Sequence, residues 1–446
     1  MSETRFSYSL DDLRQMSADV LQMAQAAGAS ASEAEVSLGI GQNVSVRLDE
    51  VETIEYNRDK GMSVTVYFGQ RRGHASTSDL SPQALKDTVA AACSIARHTA
   101  HDEFCGLADP ALLANEFPDL DLYHPWNISV EQAIALARVC EGAALGVDKR
   151  INNSEGAGVS TYEGLFSYAN SNGFNHGYPT SRHSLSCSVI AEAGDDMQRD
   201  YWYTTARAST DLDTPELVGR KAGERTARRL GAQQLKTMQV PVLFDATIAG
   251  GLLSHLISAI SGGSLYRKSS FLLDSLGKQI FPRHIHLVEQ PHFPRGLASA
   301  VFDNEGVATR SRDLVTAGVL NGYVLSSYSA RKLGMETTGN AGGNHNLFLQ
   351  SGDLDFDGLL KSMHTGLLVT ELLGHGINMV TGDYSRGAAG FWVENGVIQY
   401  PVEEITIAGN LKDMFQQIVA VGNDVLVQGS KRTGSILIER MTIAGQ

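Results

Sequence analysis

The chain contains 446 residues, of which 42% are hydrophobic, so it is long and apolar enough for two or three domains with ordinary buried cores. Its 36 basic and 50 acidic residues give a formal net charge of −14. Because binding to phosphate backbones requires clustered Lys and Arg, this charge disfavours a nucleic-acid-binding function.

The sequence also lacks the features of an exported or membrane-embedded chain. No positively charged segment followed by an apolar core opens it, and the longest apolar stretch, 248–260, is too short to cross a bilayer. The cysteines show no paired spacing of the kind found in disulfide frameworks or zinc sites. We therefore predict a protein of the reducing cytoplasm without a membrane partner.

The first hundred residues predict a helix, three or four antiparallel strands and a second helix. The pattern places one helix over 9–27 and another from Ser81, which is followed by Pro82 at the first helical position. Between them, apolar and polar residues alternate over 34–40, 44–48 and 62–68, the period of half-buried strands. This order predicts an α+β lobe.

A similar arrangement follows a connector over 100–127. Ser129 and Gln132 form a capping-box pattern that begins a helix. Strand patterns punctuated by glycines cover 150–208, and Thr214 begins a further helix. We interpret this part as a second lobe that resembles the first.

The sequence changes character after the second lobe. A short buried strand at 242–244 precedes a helix over 246–260, and strand patterns dominate beyond it. The Asn-Gly pairs at 321–322 and 395–396 predict hairpins, because these residues readily adopt the positive φ of a type I′ turn. A terminal strand is predicted over 434–443.

Together these patterns predict an α+β fold in two parts. The N-terminal α+β region covers 1–234, as two lobes over 1–120 and 121–234, and a β-rich C-terminal domain covers 235–446.

The segment 381–396 combines a glycine-rich stretch with one of the Asn-Gly turns. We interpret 382–387 as a loop that carries carboxylate, phenol, hydroxyl and guanidinium groups. Three roles remain open for it: catalysis, an Asp383–Arg386 pair that shapes the turn, or contact of these two side chains with a bound peptide. His375, which lies between two glycines, is a further candidate for ligand or peptide contact.

Six segments spread along the chain together resemble the TldD/PmbA family. They are TGDYSRGAAGFWVENG at 381–396, ASTSDLSP at 75–82, SRHSLS at 181–186, GSLYRK at 263–268, SSYSARKL at 326–333 and AGNLKD at 408–413. The resemblance covers essentially the whole chain, and within the family it is to the PmbA/TldE branch, which lacks the metal of its TldD sister.

The resemblance implies a role in a cytoplasmic TldD–TldE protease complex. Such a complex degrades or trims small, unfolded peptides, among them the leader of a peptide antibiotic and an antitoxin. It also implies zinc in the sister subunit and no cofactor in this chain. The family's older name, modulator of DNA gyrase, fits proteolysis of gyrase effectors, and the acidic charge favours that explanation over DNA contact.

The metal positions of the family indicate which branch this chain represents. The TldD sister carries His-Glu-x-x-x-His on the helix after the first C-terminal strand, and these positions match Ser254, His255 and Ala259 here. The sister's third ligand is a cysteine, whereas the matching segment 370–376 has none and no cysteine follows Cys187. The resemblance therefore implies that both helix ligands, the general base and the cysteine are missing, so we predict no catalytic and no metal-binding residue.

A different metal arrangement is the alternative within this chain. His284 and His286 lie two residues apart, with Glu289 and His292 nearby, although the flanking prolines favour an exposed loop.

Three hypotheses follow. The first is a metal-free partner subunit that binds a TldD-like sister and unfolded peptides, with a homodimer when the chain is alone. The second is an independently active peptidase or metalloprotease with an unrecognised site. The third is a gyrase-interacting modulator without a proteolytic role.

Overall fold

The computed structural model describes residues 5–445. Its N-terminal part repeats the order helix, three strands, helix. The elements are α1 (Leu10–Ala26), β1 (Ala31–Arg47), β2 (Glu50–Phe68), β3 (Arg71–Thr77), α2 (Pro82–His98), α3 (Val130–Leu145), β4 (Ile151–Asn170), β5 (Asn175–Ala193), β6 (Asp196–Ala206) and α4 (Pro215–Ala227). All six strands form one antiparallel sheet in the order β3-β2-β1-β4-β5-β6, so β1 and β4 join the two halves.

The helix starts lie where the capping residues predicted them. The side chain of Ser9 accepts a hydrogen bond from the Asp12 amide and the Asp12 carboxylate accepts one from the Ser9 amide. Ser129 and Gln132 form the same reciprocal pair at the start of α3. Ser81 caps α2. Each cap satisfies amide groups that have no partner within the helix, which explains why these short sequence patterns mark the boundaries.

The strands of the first half are longer than the alternation predicted. β1 runs without interruption to Arg47 and turns through Leu48 and Asp49, both with positive φ, into β2. The first part of β2 is exposed on both faces, so it has no apolar period to reveal it.

The four helices cover one face of this sheet, and the other face meets the C-terminal domain. Phe166 and Tyr178 on the second face pack edge-to-face with ring centroids 4.8 Å apart. Phe302 of the C-terminal domain inserts among them and lies 4.9 Å from the ring of Phe174. Burial of these aromatic rings fixes the sheet against the C-terminal domain.

The C-terminal part is rich in strands. Its elements are β7 (Met238–Phe244), α5 (Ala246–Ala259), α6 (Gly262–Tyr266), β8 (Leu287–Gln290), β9 (Arg312–Thr316), β10 (Val319–Leu320), α7 (Ser327–Leu333), β11 (Asn346–Leu349), α8 (Phe356–Met363), β12 (Gly366–Leu373), β13 (Asp383–Glu394), β14 (Val397–Asn410), α9 (Leu411–Gln416), β15 (Ile418–Val421), β16 (Lys431–Arg432) and β17 (Ile436–Ala444). One sheet has the order β10-β9-β8-β11-β16, and the other has the order β14-β13-β12-β7-β17-β15 with an additional β14–β17 pairing. The predicted α+β fold class is confirmed.

The Asn-Gly pair between β13 and β14 forms the predicted hairpin turn. Asn395 has φ 52° and Gly396 has φ 73°. These are the two consecutive positive φ angles that a type I′ turn requires.

The second hairpin prediction was wrong in its position. Strands β9 and β10 turn at Ala317 and Gly318, with φ 48° and 79°, and not at the Asn-Gly pair that follows. The side chain of Asn321 instead donates a hydrogen bond to the Asp313 carbonyl across the hairpin. Sequence composition alone favours Asn-Gly, but the packing of Gly318 against the Phe281 carbonyl selects the earlier turn.

The prediction of a loop over 382–387 was also wrong, because β13 begins at Asp383. A glycine further along the same strand permits close packing against β12. A Cβ atom on Gly390 would lie 1.9 Å from the Leu368 carbonyl oxygen of the adjacent strand, at a register shift between β12 and β13. Glycine at such a bulge lets two backbones approach, which explains a glycine-rich strand.

A side chain of the C-terminal domain also holds the connector between the two halves of the N-terminal part. The Arg331 guanidinium, in α7, donates to the carbonyls of Phe104 and Gly106 at 2.9 and 3.1 Å, and also to that of Leu107. An arginine that saturates several carbonyls fixes an otherwise irregular segment.

Over residues 5–445, no helix combines the length and the apolar character that a bilayer crossing requires.

Candidate functional site

Helix α5 is the element on which the family's metal positions fall. Asp245 follows β7 directly and caps the helix by accepting a hydrogen bond from the Thr247 amide at 2.9 Å. One side of α5 is buried in the core of the domain. The opposite side carries Ser254, His255 and Ser258, which are partly or fully exposed. The helix therefore presents one polar stripe.

Two of the three predicted positions offer no ligand to a metal. The hydroxyl of Ser254 donates to the Gly250 carbonyl one turn earlier, at 3.2 Å. Ala259 is fully buried, and its carbonyl accepts a hydrogen bond from the Ser270 hydroxyl at 2.6 Å. Only His255 has an imidazole, and zinc sites of peptidases require three protein ligands.

The donor set therefore does not fit zinc. Throughout the described range 5–445, no three His, Cys, Asp or Glu side chains converge in a way that could hold a metal ion. The alternative grouping at 284–292 is divided among other contacts: Glu289 pairs with Arg312, and His292 contacts the Thr309 hydroxyl at 3.0 Å. We derive no step through a metal in this chain.

Strand β13 supplies two side chains to the polar stripe of α5. Tyr384 and Arg386 lie two residues apart, so they share the face of the strand that is directed at the helix. The rings of Tyr384 and His255 have centroids 6.0 Å apart in an edge-to-face arrangement. The Arg386 Nη2 atom donates to the Leu372 carbonyl at 3.3 Å. We call Tyr384, Arg386 and His255 the α5–β13 niche.

Several atoms of the α5–β13 niche have unfilled hydrogen-bonding capacity. The Tyr384 hydroxyl and the Arg386 Nε atom are buried and have no hydrogen-bond partner within the described chain. Burial, together with the nearby Arg386 charge, lowers the pKa of His255 to about 4, so its imidazole is neutral at neutral pH. Burial raises the pKa of Tyr384 to about 12. The niche thus carries one positive charge and two neutral polar rings.

The other candidate residues lie apart from this niche. Asp383 is on the opposite face of β13, where it accepts hydrogen bonds from the Thr381 hydroxyl at 2.6 Å and from the Asn410 amide at 3.1 Å. The proposed Asp383–Arg386 pair does not form. His375 lies exposed in the loop after β12. The structure therefore brings together His255 and Arg386 of the sequence-predicted residues.

Tyr384 was not among the predicted residues. The signal that identifies it is the strand period: if 383–390 is a strand, residues 384 and 386 share a face. The interpretation of this segment as a loop concealed that relation.

Two adjoining clefts border the polar stripe of α5. The first, the α5 cleft, has a volume of about 390 Å³ and is lined by Ser254 and Thr247. Its charged lining side chains are Arg182 and Lys431, and no acidic side chain of the described chain lines it. The second, the β6 cleft, has a volume of about 320 Å³ and includes Leu372. Sequence reasoning missed Arg182 and Lys431 of the α5 cleft, because these two cations come from elements distant in the chain.

Strand β6 forms a common wall of both clefts. It is the edge strand of the N-terminal sheet. Tyr203, on this strand, lines both clefts, and its carbonyl accepts a hydrogen bond from the Gln428 side chain at 2.7 Å. The outer edge of β6 therefore faces the space beside α5.

Three family models match the chain in succession. They are described as PmbA/TldA metallopeptidase domain 1, over residues 33–96, the central domain, over 123–230, and the C-terminal domain, over 237–445.

Among curated proteins, the Metalloprotease PmbA of Escherichia coli O157:H7 is 54% identical over 93% of this chain and 92% of that protein. The Metalloprotease PmbA homolog of Haemophilus influenzae is 49% identical over 97% of this chain and 96% of that protein. The Metalloprotease TldD homolog of the same organism is 23% identical over 82% of this chain and 80% of that protein. The chain is thus more similar to the PmbA branch, as the sequence motifs predicted.

Solved structures share the fold over nearly the whole chain. A Bacteroides thetaiotaomicron protein, described as a candidate modulator of DNA gyrase, has a TM-score of 0.93 at 30% identity and covers 98% of this chain and 99% of its own. TldE from Thermococcus kodakarensis has a TM-score of 0.84 at 22% identity, with 96% of this chain and 100% of its own covered, which shows the likeness of the fold. The chain therefore belongs to the PmbA/TldD family and resembles its PmbA branch.

Proposed function

We propose that this chain is the metal-free partner subunit of a TldD-like zinc metallopeptidase, with which it degrades small, unfolded peptides in the cytoplasm. The observation that carries the proposal is the state of helix α5. The helix keeps its place in the fold, yet the positions of the sister's zinc ligands and base hold Ser254, Ala259 and a single imidazole, His255.

The chemistry of these side chains supports a pair in which the sister binds zinc and this chain does not. Peptidase zinc is held by imidazoles, thiolates or carboxylates, and its bound water needs a carboxylate base. A serine hydroxyl and an alanine methyl replace the helix ligands, and the sequence contains no cysteine beyond Cys187. The zinc and its bound water therefore belong to the sister subunit.

The clefts beside α5 support peptides as the ligands. The edge strand β6 faces both clefts, and an extended peptide pairs with a strand edge through main-chain hydrogen bonds. Such pairing tolerates many sequences, because the side chains do not form the hydrogen bonds. An unfolded peptide fits this requirement, whereas a folded protein does not expose a free strand.

Reconstitution from separate subunits tests the proposal. The chain, the sister and an equimolar mixture are each incubated with a short unstructured peptide, and cleavage is followed by mass spectrometry. We expect cleavage by the mixture, with zinc found by elemental analysis in the sister alone. Size exclusion of the co-expressed pair should give a heterodimer. If the sister cleaves equally well without this chain, the proposal is wrong.

A matched pair of variants sharpens this test. Replacing the first histidine of the sister's metal motif should abolish both zinc binding and cleavage. Replacing His255 here with Gln should leave the zinc content of the mixture unchanged, because this imidazole is not a ligand. Loss of zinc from the mixture with His255→Gln would contradict the assignment.

The second candidate function is that of an independent peptidase, which the name Metalloprotease PmbA of the similar E. coli protein favours. An isolated chain that contains stoichiometric zinc and cleaves peptides would establish this function. A zinc-free and inactive chain would eliminate it.

The third candidate function is direct modulation of DNA gyrase. The description of the similar Bacteroides protein favours it. Affinity capture with this chain from a lysate that lacks the sister would recover gyrase under this hypothesis, and the same experiment without gyrase recovery would exclude it.

A further inference from the structure

The α5–β13 niche holds a cation that no carboxylate neutralises. The ion pairs of the described chain do not include Arg386. Arg386 donates a hydrogen bond to the Leu372 carbonyl and interacts with the Tyr384 hydroxyl, and its Nε atom is buried without a partner within residues 5–445. A partly buried guanidinium in this state has lost water without gaining a counter-charge, which is unfavourable unless a ligand supplies one.

The nearest candidates for an internal partner are engaged elsewhere. Asp383 lies on the opposite face of β13 and is held by Thr381 and Asn410. Glu371, on β12, pairs with Arg229 of the N-terminal part. Neither carboxylate therefore offsets the positive charge of Arg386.

The neighbouring rings favour an oxygen ligand. The imidazole of His255 packs edge-to-face against the Tyr384 ring, and the Tyr384 hydroxyl is almost completely buried beside the Arg386 guanidinium. Both groups can donate to an oxygen atom that approaches the guanidinium. The planar fork of arginine matches the two oxygens of a carboxylate, which makes that group a better ligand than a neutral amide.

The α5 cleft also attracts an anion. Ser254, which precedes His255 on the helix, lines the α5 cleft with Arg182 and Lys431 and without an acidic side chain. The chain as a whole has a net charge of −14, so a cationic cleft is a local exception. A field of this sign concentrates anionic ligands in the α5 cleft, beside the helix that carries His255.

We propose that Arg386, with His255 and Tyr384, binds the carboxylate of a peptide at the place where the sister carries its metal. That the carboxylate belongs to a peptide rests on the proposed function, whereas the preference for a carboxylate rests on this chain alone. Two sources share this chemistry: the C-terminal carboxylate of the peptide and the side chain of an internal Asp or Glu.

Binding to the purified full chain, without its sister, tests the inference. Three acetylated peptides of one uncharged sequence are compared by isothermal titration calorimetry: a free acid, its C-terminal amide, and the amide with one internal Glu. We expect the free acid or the Glu peptide to bind at least about tenfold more tightly than the plain amide, the ratio for one charge-assisted hydrogen bond. The peptide that binds identifies the source of the carboxylate.

Variants locate the site. Arg386→Gln should abolish the preference, and Arg386→Lys should keep part of it, since the charge remains and the fork is lost. Arg58→Gln, an exposed arginine on β2 with the same change of charge, should have no effect. Equal binding of all three peptides to the wild-type chain, or an unchanged preference in a folded Arg386→Gln chain, would overturn the inference.

The wild-type comparison needs no variant, so it decides the question even if Arg386→Gln does not fold. The outcome is also separable from that of the reconstitution. A chain that prefers carboxylates and does not assist the sister refutes the partner role, while a chain that assists the sister without this preference refutes the inference.

Discussion

At the scale of single residues, the environment of His255 is the most informative. Its imidazole is packed against Tyr384 and lies close to the Arg386 guanidinium. Burial and the like charge both disfavour the imidazolium. The same histidine in an open loop would titrate in its ordinary range, so the pKa of His255 reports directly on the packing and charge of the niche.

The first prediction concerns this titration. In the wild-type chain, the pKa of His255 should be about 4, and Arg386→Gln should raise it without restoring the ordinary value of 6.5, because the burial remains. NMR titration of histidine-labelled protein measures both values. The control Arg58→Gln should leave the pKa unchanged. A wild-type pKa close to 6.5 would contradict the geometry of the niche.

The second prediction follows from the same pKa through linkage. Because the folded-state pKa lies below that of the unfolded chain, the unfolded state binds more protons between about pH 4 and pH 6.5. His255 therefore lowers the free energy of unfolding as the pH falls through this window. His255→Gln should reduce that slope in urea titrations, whereas His375→Gln, at an exposed loop position, should not. Identical slopes in both variants would refute it.

At the scale of elements, close packing of helices depends on glycine. Helix α4 crosses α3 where a Cβ atom on Gly219 would lie 1.9 Å from the Cys140 carbonyl oxygen. A Cβ atom on Gly142, which belongs to α3, would meet only open space. The two glycines look alike in the sequence, but only one of them is required by packing.

The third prediction compares these two positions. Gly219→Ala should lower the free energy of unfolding by about 1–3 kcal/mol, because the methyl group forces the helices apart. Gly142→Ala should raise it by about 0.5–1 kcal/mol, the difference in helix propensity. Chemical denaturation of both variants gives the values. A neutral Gly219→Ala substitution would mean that α3 and α4 are not packed this closely.

Elements were predictable where local chemistry decides them. Ser9, Ser129 and the Asn395-Gly396 pair each fulfil a requirement of the backbone within a few residues, so the sequence marks them. The segment 382–387 was misinterpreted, because its strand conformation depends on pairing with β14, which lies outside the segment. The turn at Ala317 and Gly318 was not predicted, because it too depends on packing against a residue outside the hairpin.

At the scale of the whole molecule, the connector after α2 depends on the C-terminal domain. It has little regular structure of its own, and Arg331 binds three of its carbonyls. Arg331 therefore ties the connector to helix α7 of the C-terminal domain.

The fourth prediction is that Arg331→Ala lowers the free energy of unfolding by about 2–3 kcal/mol, because it removes hydrogen bonds from a charged donor to three partly buried carbonyls. Limited proteolysis should cleave the connector faster in this variant. Arg310→Ala serves as the control, since Arg310 is exposed. Unchanged stability and unchanged cleavage would show that Arg331 does not hold the connector.

The sequence by itself determined the family, the helix caps, the hairpin at Asn395-Gly396 and the residue types at the family's metal positions, which include no second imidazole and no cysteine. These properties are local or compositional, so they do not depend on packing.

Only the tertiary structure decided which side chains meet. It separated Asp383 and His375 from His255, brought Arg386 and Tyr384 to α5, and placed the cations of the α5 cleft beside Ser254 of that helix. The physical reason is that the face of a strand and the neighbours of a helix depend on how distant elements pack, and burial then sets the charge and hydrogen bonding of each group.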